Sequence, residues 1–140
     1  MSKNVLILCT GNSCRSQMAQ VIWQKLGGDQ WTAHSAGSNP SGYVHPLALV
    51  ALNEIGLPNE GLTSKHMEQF YEQKMDQVVT VCDNAKGSCP ALPGFADPLH
   101  WPFDDPADAT GSDEEKLKVF RRVRDEIYQR IESHLKNEND

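Results

Sequence analysis

Four consecutive apolar residues, Val5-Leu6-Ile7-Leu8, run straight into Cys9, after which the chain changes character. An apolar run without alternation suits a strand buried on both faces, as inner strands of parallel sheets are. Thr10-Gly11-Asn12-Ser13 are all small or turn-forming, and Cys14-Arg15-Ser16 follow. Met18, Val21, Ile22, Trp23 and Leu26 then recur at helical spacing until Gly27-Gly28 stops the helix. The pattern is strand, tight loop, helix. At such a joint the carboxyl end of a strand meets the amino end of a helix, where anions bind. Cys9 falls at that place.

The rest of the chain alternates in the same way. A second strand is expected at Trp31 to Ala36, closed by Gly37. Pro46 opens a helix with Leu47, Val50, Ala51 and Ile55 on one face, ending at Gly56. Thr63-Ser64 reads as the cap of a further short helix. Val78 to Val81, β-branched throughout, gives a third strand that ends at Cys82. Residues 83–98 form a loop punctuated by Gly and Pro and containing Cys89, and Leu99-His100-Trp101 is the last strand. Ser112 to Lys136 reads as a long helix: Ser112 and Glu115 have capping-box spacing, and Asp113-Glu114 suit its amino end. Leu117, Phe120, Val123, Ile127, Ile131 and Leu135 form its buried stripe, and the charges from Arg121 to Arg130 its solvated face. This order predicts an α/β fold in a single catalytic domain over residues 1–140. The fold has three layers, with an approximately four-stranded parallel sheet and helices on both faces.

Composition narrows the function classes. The chain has 140 residues, 39% hydrophobic and 23% charged, which is ordinary globular usage. Thirteen Lys and Arg stand against 19 Asp and Glu, a net charge of -6. That argues against nucleic acid or an anionic membrane as a partner, since both need a basic footprint. A small anionic substrate remains compatible, because one pocket can be positive on an acidic protein. No apolar run approaches signal-peptide or membrane-helix length, so the expected location is the cytoplasm; a monomer is expected. In that setting four cysteines point to catalysis or metal rather than a disulfide framework.

The residues around Cys9 fit one chemical device. A thiolate, not a thiol, is the nucleophile, and backbone N–H groups at a helix amino end favour the thiolate. Arg15 adds a fixed positive charge, and Ser16 can donate a hydrogen bond to sulfur. The N–H groups of Thr10, Gly11, Asn12, Ser13 and Cys14 can cradle a tetrahedral oxyanion as a nest. Arg15 can grip two of its oxygens as a fork, which Lys cannot do. Gly11 permits the tight turn, and Asn12 tolerates a left-handed conformation.

The run Cys9-Thr-Gly-Asn-Ser-Cys-Arg15-Ser16, placed after a buried strand, resembles the signature loop of the low-molecular-weight protein tyrosine phosphatase superfamily. The resemblance implies a general acid on an Asp before a Pro late in the chain. Asp105-Pro106 fits, with Asp104 the adjacent candidate.

A phosphatase has no use for two further cysteines at Cys82 and Cys89. Cys82 closes a strand at a carboxyl end and should face the crevice that Cys9 faces. Cys89 lies seven residues on, in a loop with Gly87, Pro90, Pro93 and Gly94. A redox enzyme can use such a pair in thiol–disulfide exchange. Cys82-Asp-Asn-Ala-Lys-Gly-Ser-Cys89-Pro, His100-Trp-Pro-Phe-Asp-Asp-Pro106, Arg121-Arg-Val-Arg-Asp-Glu-Ile127, Ser35-Ala-Gly37 and Thr63-Ser64 together resemble the thioredoxin-coupled arsenate reductases, over most of the chain. The resemblance implies a three-cysteine relay. Cys9 attacks arsenate, Arg15 and the loop amides hold the oxyanion, and Asp105 protonates the departing oxygen. A Cys9–Cys82 disulfide forms, then a Cys82–Cys89 disulfide, which thioredoxin reduces. Phosphate and sulfate are expected as analogues of the substrate. No bound cofactor and no metal are expected: relatives that bind potassium carry acidic residues where this chain has Gln20 and Lys65, and Lys65 can supply charge in place of a cation.

Other readings carry less. The Cys9/Cys14 and Cys82/Cys89 gaps exceed the usual spacing of zinc ligands. Cys14 reads as a packed spectator. A noncatalytic anion-binding module leaves Asp105 and the cysteine set unexplained. A phosphatase acting on phosphotyrosine or small phosphomonoesters is the main alternative. His34, His45, His66, His100 and His134 show no metal spacing, with His134 and Lys136 suiting the last helical turn. Trp101 reads as packing.

Overall fold

The computed structural model describes residues 3–58, 60–82 and 98–138. Cys89 and nearly all of the expected 83–98 loop lie outside them. Four strands form one parallel sheet: β1 (Lys3–Leu8), β2 (Trp31–Ala36), β3 (Gln77–Thr80) and β4 (Leu99–His100), in the order β2-β1-β3-β4. Three α-helices accompany them: α1 (Arg15–Gly27), α2 (Pro46–Glu54) and α3 (Asp113–Glu138). The expected α/β architecture is the observed one.

β1 is an inner strand, so both of its faces are covered. Val5, Leu6, Ile7 and Leu8 are each fully buried, and burying one such side chain stabilises a fold by roughly 1.5–3 kcal/mol. Val5, Ile7 and Val79 join a core with Trp23 of α1 and Phe120 and Ile127 of α3. Leu6, Leu8 and Val78 face the other side, under Met67, Phe70 and Met75. Helices therefore flank the sheet on both faces: the three α-helices on one, the short 3-10 helix Met67–Phe70 on the other.

The ladder places the two strand-end cysteines. Leu8 pairs with Thr80, and Val81 N–H donates to Leu8 O at 2.9 Å. Cys9 and Cys82 thus follow neighbouring inner strands at the same carboxyl edge. The capping box of α3 forms as its sequence predicts: Glu115 N–H donates to Ser112 Oγ at 3.2 Å, and Ser112 N–H to Glu115 Oε1 at 3.4 Å. Trp101 packs in the core, stacked on Trp23 with ring centroids 5.9 Å apart.

Three local expectations are corrected. The buried face of α2 is Ala48, Ala51 and Leu52, while Val50 and Ile55 are exposed. Small residues there let α2 lie close to α3, and apolar spacing alone could not choose between two overlapping stripes. The cap of the 66–70 turn is His66, whose Nδ1 accepts from Glu68 N–H at 3.1 Å, not Thr63-Ser64. Arg124 is buried rather than part of the solvated face; its Nη1 donates to Ala51 O at 2.9 Å and meets Glu54 at 3.1 Å. Arg121 closes on the same carboxylate at 2.6 Å, which holds Glu54 below the usual carboxylate range, chiefly through that hydrogen bond. His134 packs against Trp23 and Trp101.

Candidate active site

Cys9 leaves β1 with its main chain still tied to β2, its N–H donating to Ala36 O at 3.2 Å. Beyond it the loop carbonyls are drawn outward one after another. Thr10 O accepts from Asn39 N–H (2.9 Å), and Gly11 O from Ser41 N–H (2.9 Å) and Ser64 Oγ (3.1 Å). Asn12 O accepts from Gln17 Nε2 (3.0 Å), and Ser13 O from His45 N–H (3.0 Å). In a trans peptide the C=O of one residue opposes the N–H of the next. Fixing these four carbonyls outward therefore turns the N–H groups of Gly11, Asn12, Ser13 and Cys14 inward. Among the described residues those N–H groups donate to no backbone carbonyl. They are left as a set of donors at the amino end of α1, a geometry suited to an anion.

Two positions show why the local sequence is what it is. Asn12 is fully buried at φ 48°, a conformation Asn tolerates better than most residues. Gly37, just past β2, lies against the loop. A Cβ there would sit 2.3 Å from Thr10 O and 2.6 Å from Cys9 O, so no side chain fits. Gly37 also exchanges backbone bonds with the next segment, N–H to Lys65 O and O from Met67 N–H, both 2.9 Å.

Cys9 has a directed hydrogen-bond partner. Asn12 Nδ2 donates to Ser16 Oγ at 2.7 Å, and Ser16 Oγ lies 2.9 Å from Cys9 Sγ. With Asn12 donating to the hydroxyl, the proton of Ser16 is left for the sulfur. Ser16 therefore has the geometry of a donor to a thiolate.

Arg15 is buried at the mouth. Its Nη1 donates to Phe103 O at 3.0 Å, and its Nη2 faces Asp105 Oδ2 at 3.4 Å. Asp105 caps a short 3-10 helix, Pro106–Asp108, through Ala107 N–H to Oδ1 at 3.0 Å. The cap holds one carboxylate oxygen and leaves the other toward Arg15, which puts a carboxyl group beside those N–H groups. Asp104 faces away, paired with Arg122 of α3 at 3.0 Å and well exposed. The structure thus separates the two adjacent acids and places Asp105 at the site.

Cys14 is as buried as Cys9, and both are free thiols. Burial pushes the Cys14 thiol up to about 12; a hydrogen bond with Ser13 offsets this only in part. Cys14 therefore stays protonated. Cys82 is buried and disulfide-bonded.

Gln20 and Lys65 are both committed locally. Gln20 Oε1 accepts from Ser35 Oγ, and Lys65 Nζ donates to Thr63 O at 2.8 Å, with burial lowering the Lys65 pKa. Among the described residues no cluster of three His, Cys, Asp or Glu is placed to hold a metal ion, and no helix is long and apolar enough to cross a membrane.

Sequence reading missed Gln17 and His45. His45 caps α2, its Nδ1 accepting from Leu47 N–H at 3.1 Å, while its own N–H holds Ser13 O. Burial lowers its pKa, against an opposing pull from Asp105. Its only signal was the following Pro46.

Residues 4–139 match the family model described as low molecular weight phosphotyrosine protein phosphatase. An arsenate reductase of Halalkalibacterium halodurans is 52% identical over 134 residues, 95% of this chain and 96% of that protein. An arsenate reductase of Bacillus subtilis is 43% identical, covering 93% of each chain. Among solved structures, "an arsenate reductase in the phosphate binding state" superposes with a TM-score of 0.78 at 32% identity, covering 96% of this chain and 98% of that one.

Proposed function

The chain belongs to the low molecular weight phosphotyrosine protein phosphatase family, and on that premise we propose that it is an arsenate reductase working by a three-cysteine relay and regenerated by thioredoxin. Relatives named arsenate reductase, alike over nearly the whole chain, support the substrate. The observation that carries the chemistry is the placement of Cys9 in an anion nest with Cys82 at the end of the adjacent strand.

Arsenate occupies the nest, its oxygens held by the inward N–H groups and the Arg15 fork. Cys9 thiolate attacks arsenic, an oxygen leaves, and Asp105 gives it a proton so that it departs as water. Cys82 thiolate then attacks Cys9 Sγ. The S–S bond forms, the electron pair of the S–As bond passes to arsenic, and As(V) leaves as As(III), arsenite. Cys89 thiolate attacks Cys82, which frees Cys9 and leaves a Cys82–Cys89 disulfide. Thioredoxin, an external dithiol, returns the pair to thiols. No bound cofactor enters these steps.

The nest, Arg15 and Asp105 suit phosphate esters equally well, and family membership supports a weak phosphatase side activity. The two readings part at Cys82. With thioredoxin, its reductase and NADPH, arsenate should drive NADPH oxidation in the wild type and not in Cys82→Ser, while hydrolysis of para-nitrophenyl phosphate persists in both. Equal arsenate-dependent turnover in the two proteins sinks the relay.

A further inference from the structure

We propose that Gln17 is a positioning residue for the nucleophile: it locks the Asn12 amide in the one orientation that leaves the Ser16 hydroxyl proton for Cys9. The proposal rests on Cys9 being the attacking thiolate, as above, and adds a residue that neither touches substrate nor belongs to the anion nest.

Gln17 lies in the first turn of α1 and is fully buried. Its Nε2 is surrounded by three oxygens: Thr63 O at 2.7 Å, Asn12 O at 3.0 Å and Asn12 Oδ1 at 3.1 Å. Its Oε1 is buried with no hydrogen-bond partner. A residue kept only to fill space would be Met or Leu, which leave no buried acceptor unmatched. Here the donors are saturated and the acceptor is sacrificed, so the function of the side chain is donation.

Donation to Asn12 has a directional consequence. The Asn12 amide has two ends, and turning it over would exchange Oδ1 and Nδ2. Oδ1 accepts from Gln17 Nε2 and from Lys65 N–H at 2.8 Å, so two donors hold the oxygen end in place. Nδ2 must then face Ser16 Oγ, as it does at 2.7 Å. Ser16 has a single proton, and with Asn12 donating to it that proton goes to Cys9 Sγ at 2.9 Å. With the amide reversed, Ser16 would donate to Asn12, and the sulfur would lose its donor. Gln17 also holds the backbone oxygen of Asn12, and so keeps the residue at its positive φ. The order of influence is Gln17, Asn12, Ser16, Cys9, entirely inside the protein.

The test separates positioning from mere packing. In a Cys82→Ser/Cys89→Ser background, Cys9 alkylation by iodoacetamide is followed by mass spectrometry at about pH 6 and about pH 9. Adding Gln17→Met should lower the pH 6 to pH 9 rate ratio about tenfold, the effect of losing a hydrogen bond to a charged sulfur. It should lower kcat for para-nitrophenyl phosphate about tenfold, and raise KM as well, because Gln17 also anchors Asn12 O behind the Ser13 N–H. An unchanged ratio with only a lowered Tm overturns the assignment.

A second measurement needs no Gln17 variant and survives its misfolding. In 15N-labelled wild type, the Gln17 side-chain amide resonances should shift with pH in step with Cys9 alkylation, and should stop doing so in Cys9→Ser. Resonances indifferent to pH overturn the assignment. Failure of phosphate to protect wild-type Cys9 from iodoacetamide would instead strike the nucleophile reading itself, a result distinct from either Gln17 outcome.

Discussion

Cys9 and Cys14 stand at opposite ends of one short loop, equally buried and equally free, yet their surroundings differ in kind. Cys9 meets a hydroxyl whose proton is directed at it by Asn12. Cys14 meets Ser13 at 3.5 Å, a weak contact on a sulfur that burial keeps protonated. Burial alone makes a thiol inert. What distinguishes Cys9, the proposed nucleophile, is an ordered set of donors, not its depth. The contrast extends to the two adjacent acids: Asp105 is bound by its cap and Arg15, while Asp104 lies on the surface with Arg122.

The sharpest way to break the comparison is to exchange the roles. Cys9→Ser should reduce both arsenate turnover and phosphate ester hydrolysis by at least about 10^4, the scale of losing a nucleophile. Cys14→Ala should leave kcat/KM for the ester within about threefold, because it removes only packing. Comparable losses in the two variants would erase the distinction drawn here.

A smaller effect should follow from disturbing the donors without touching either sulfur. Gly37→Ala forces a methyl group onto Thr10 O and Cys9 O. The loop must move, and we expect kcat/KM to fall about 10^2-fold, the cost of misplacing reacting groups by about an ångström. The measurement is steady-state hydrolysis of para-nitrophenyl phosphate beside a thermal melt. Normal kcat/KM would mean that the carbonyl anchors do not set the nest.

The smallest effect is on stability. His34 and His45 both have folded pKa values held below the ordinary 6.5, mainly by burial. Below pH 6.5 the unfolded chain takes up protons that the folded protein resists, so acidification favours unfolding. The stabilisation is present above pH 6.5 and is lost as pH falls through the lower folded values. Protonating His45 Nδ1 also removes the cap on Leu47 N–H. Urea midpoints should therefore decline from neutral pH toward pH 5, and less so in His45→Asn, which can still cap a helix.

Much of this was legible in the sequence because it rests on local chemistry. The β2 span Trp31–Ala36, the Ser112–Glu115 box and the Cys9-to-Ser16 device follow from residues near one another in the chain. The anchors of the nest do not. Asn39, Ser41 and His45 act through backbone N–H groups, which any residue but proline supplies, so their side chains carry no mark of the role. Gly37 was the one trace of the close approach, and it reads as a strand terminator until the loop is seen against it. Arg124 and the buried face of α2 were misread for a related reason: burial of a guanidinium depends on Ala51 O and Glu54, which only tertiary packing brings to it.

The parallel order β2-β1-β3-β4 has a consequence for biosynthesis. Cys9 leaves the ribosome before the partners that its flanking strand needs. Residues 31–36 supply one ladder and residues 77–80 the other. The carbonyl anchors at residues 39, 41, 45 and 64 arrive in between. Until residues 77–80 have emerged, the cysteine is an ordinary thiol on an unfinished polypeptide, with no nest to make it selective for an oxyanion. The activity is thus timed by translation, and a chain truncated before β3 would carry the signature sequence without the site.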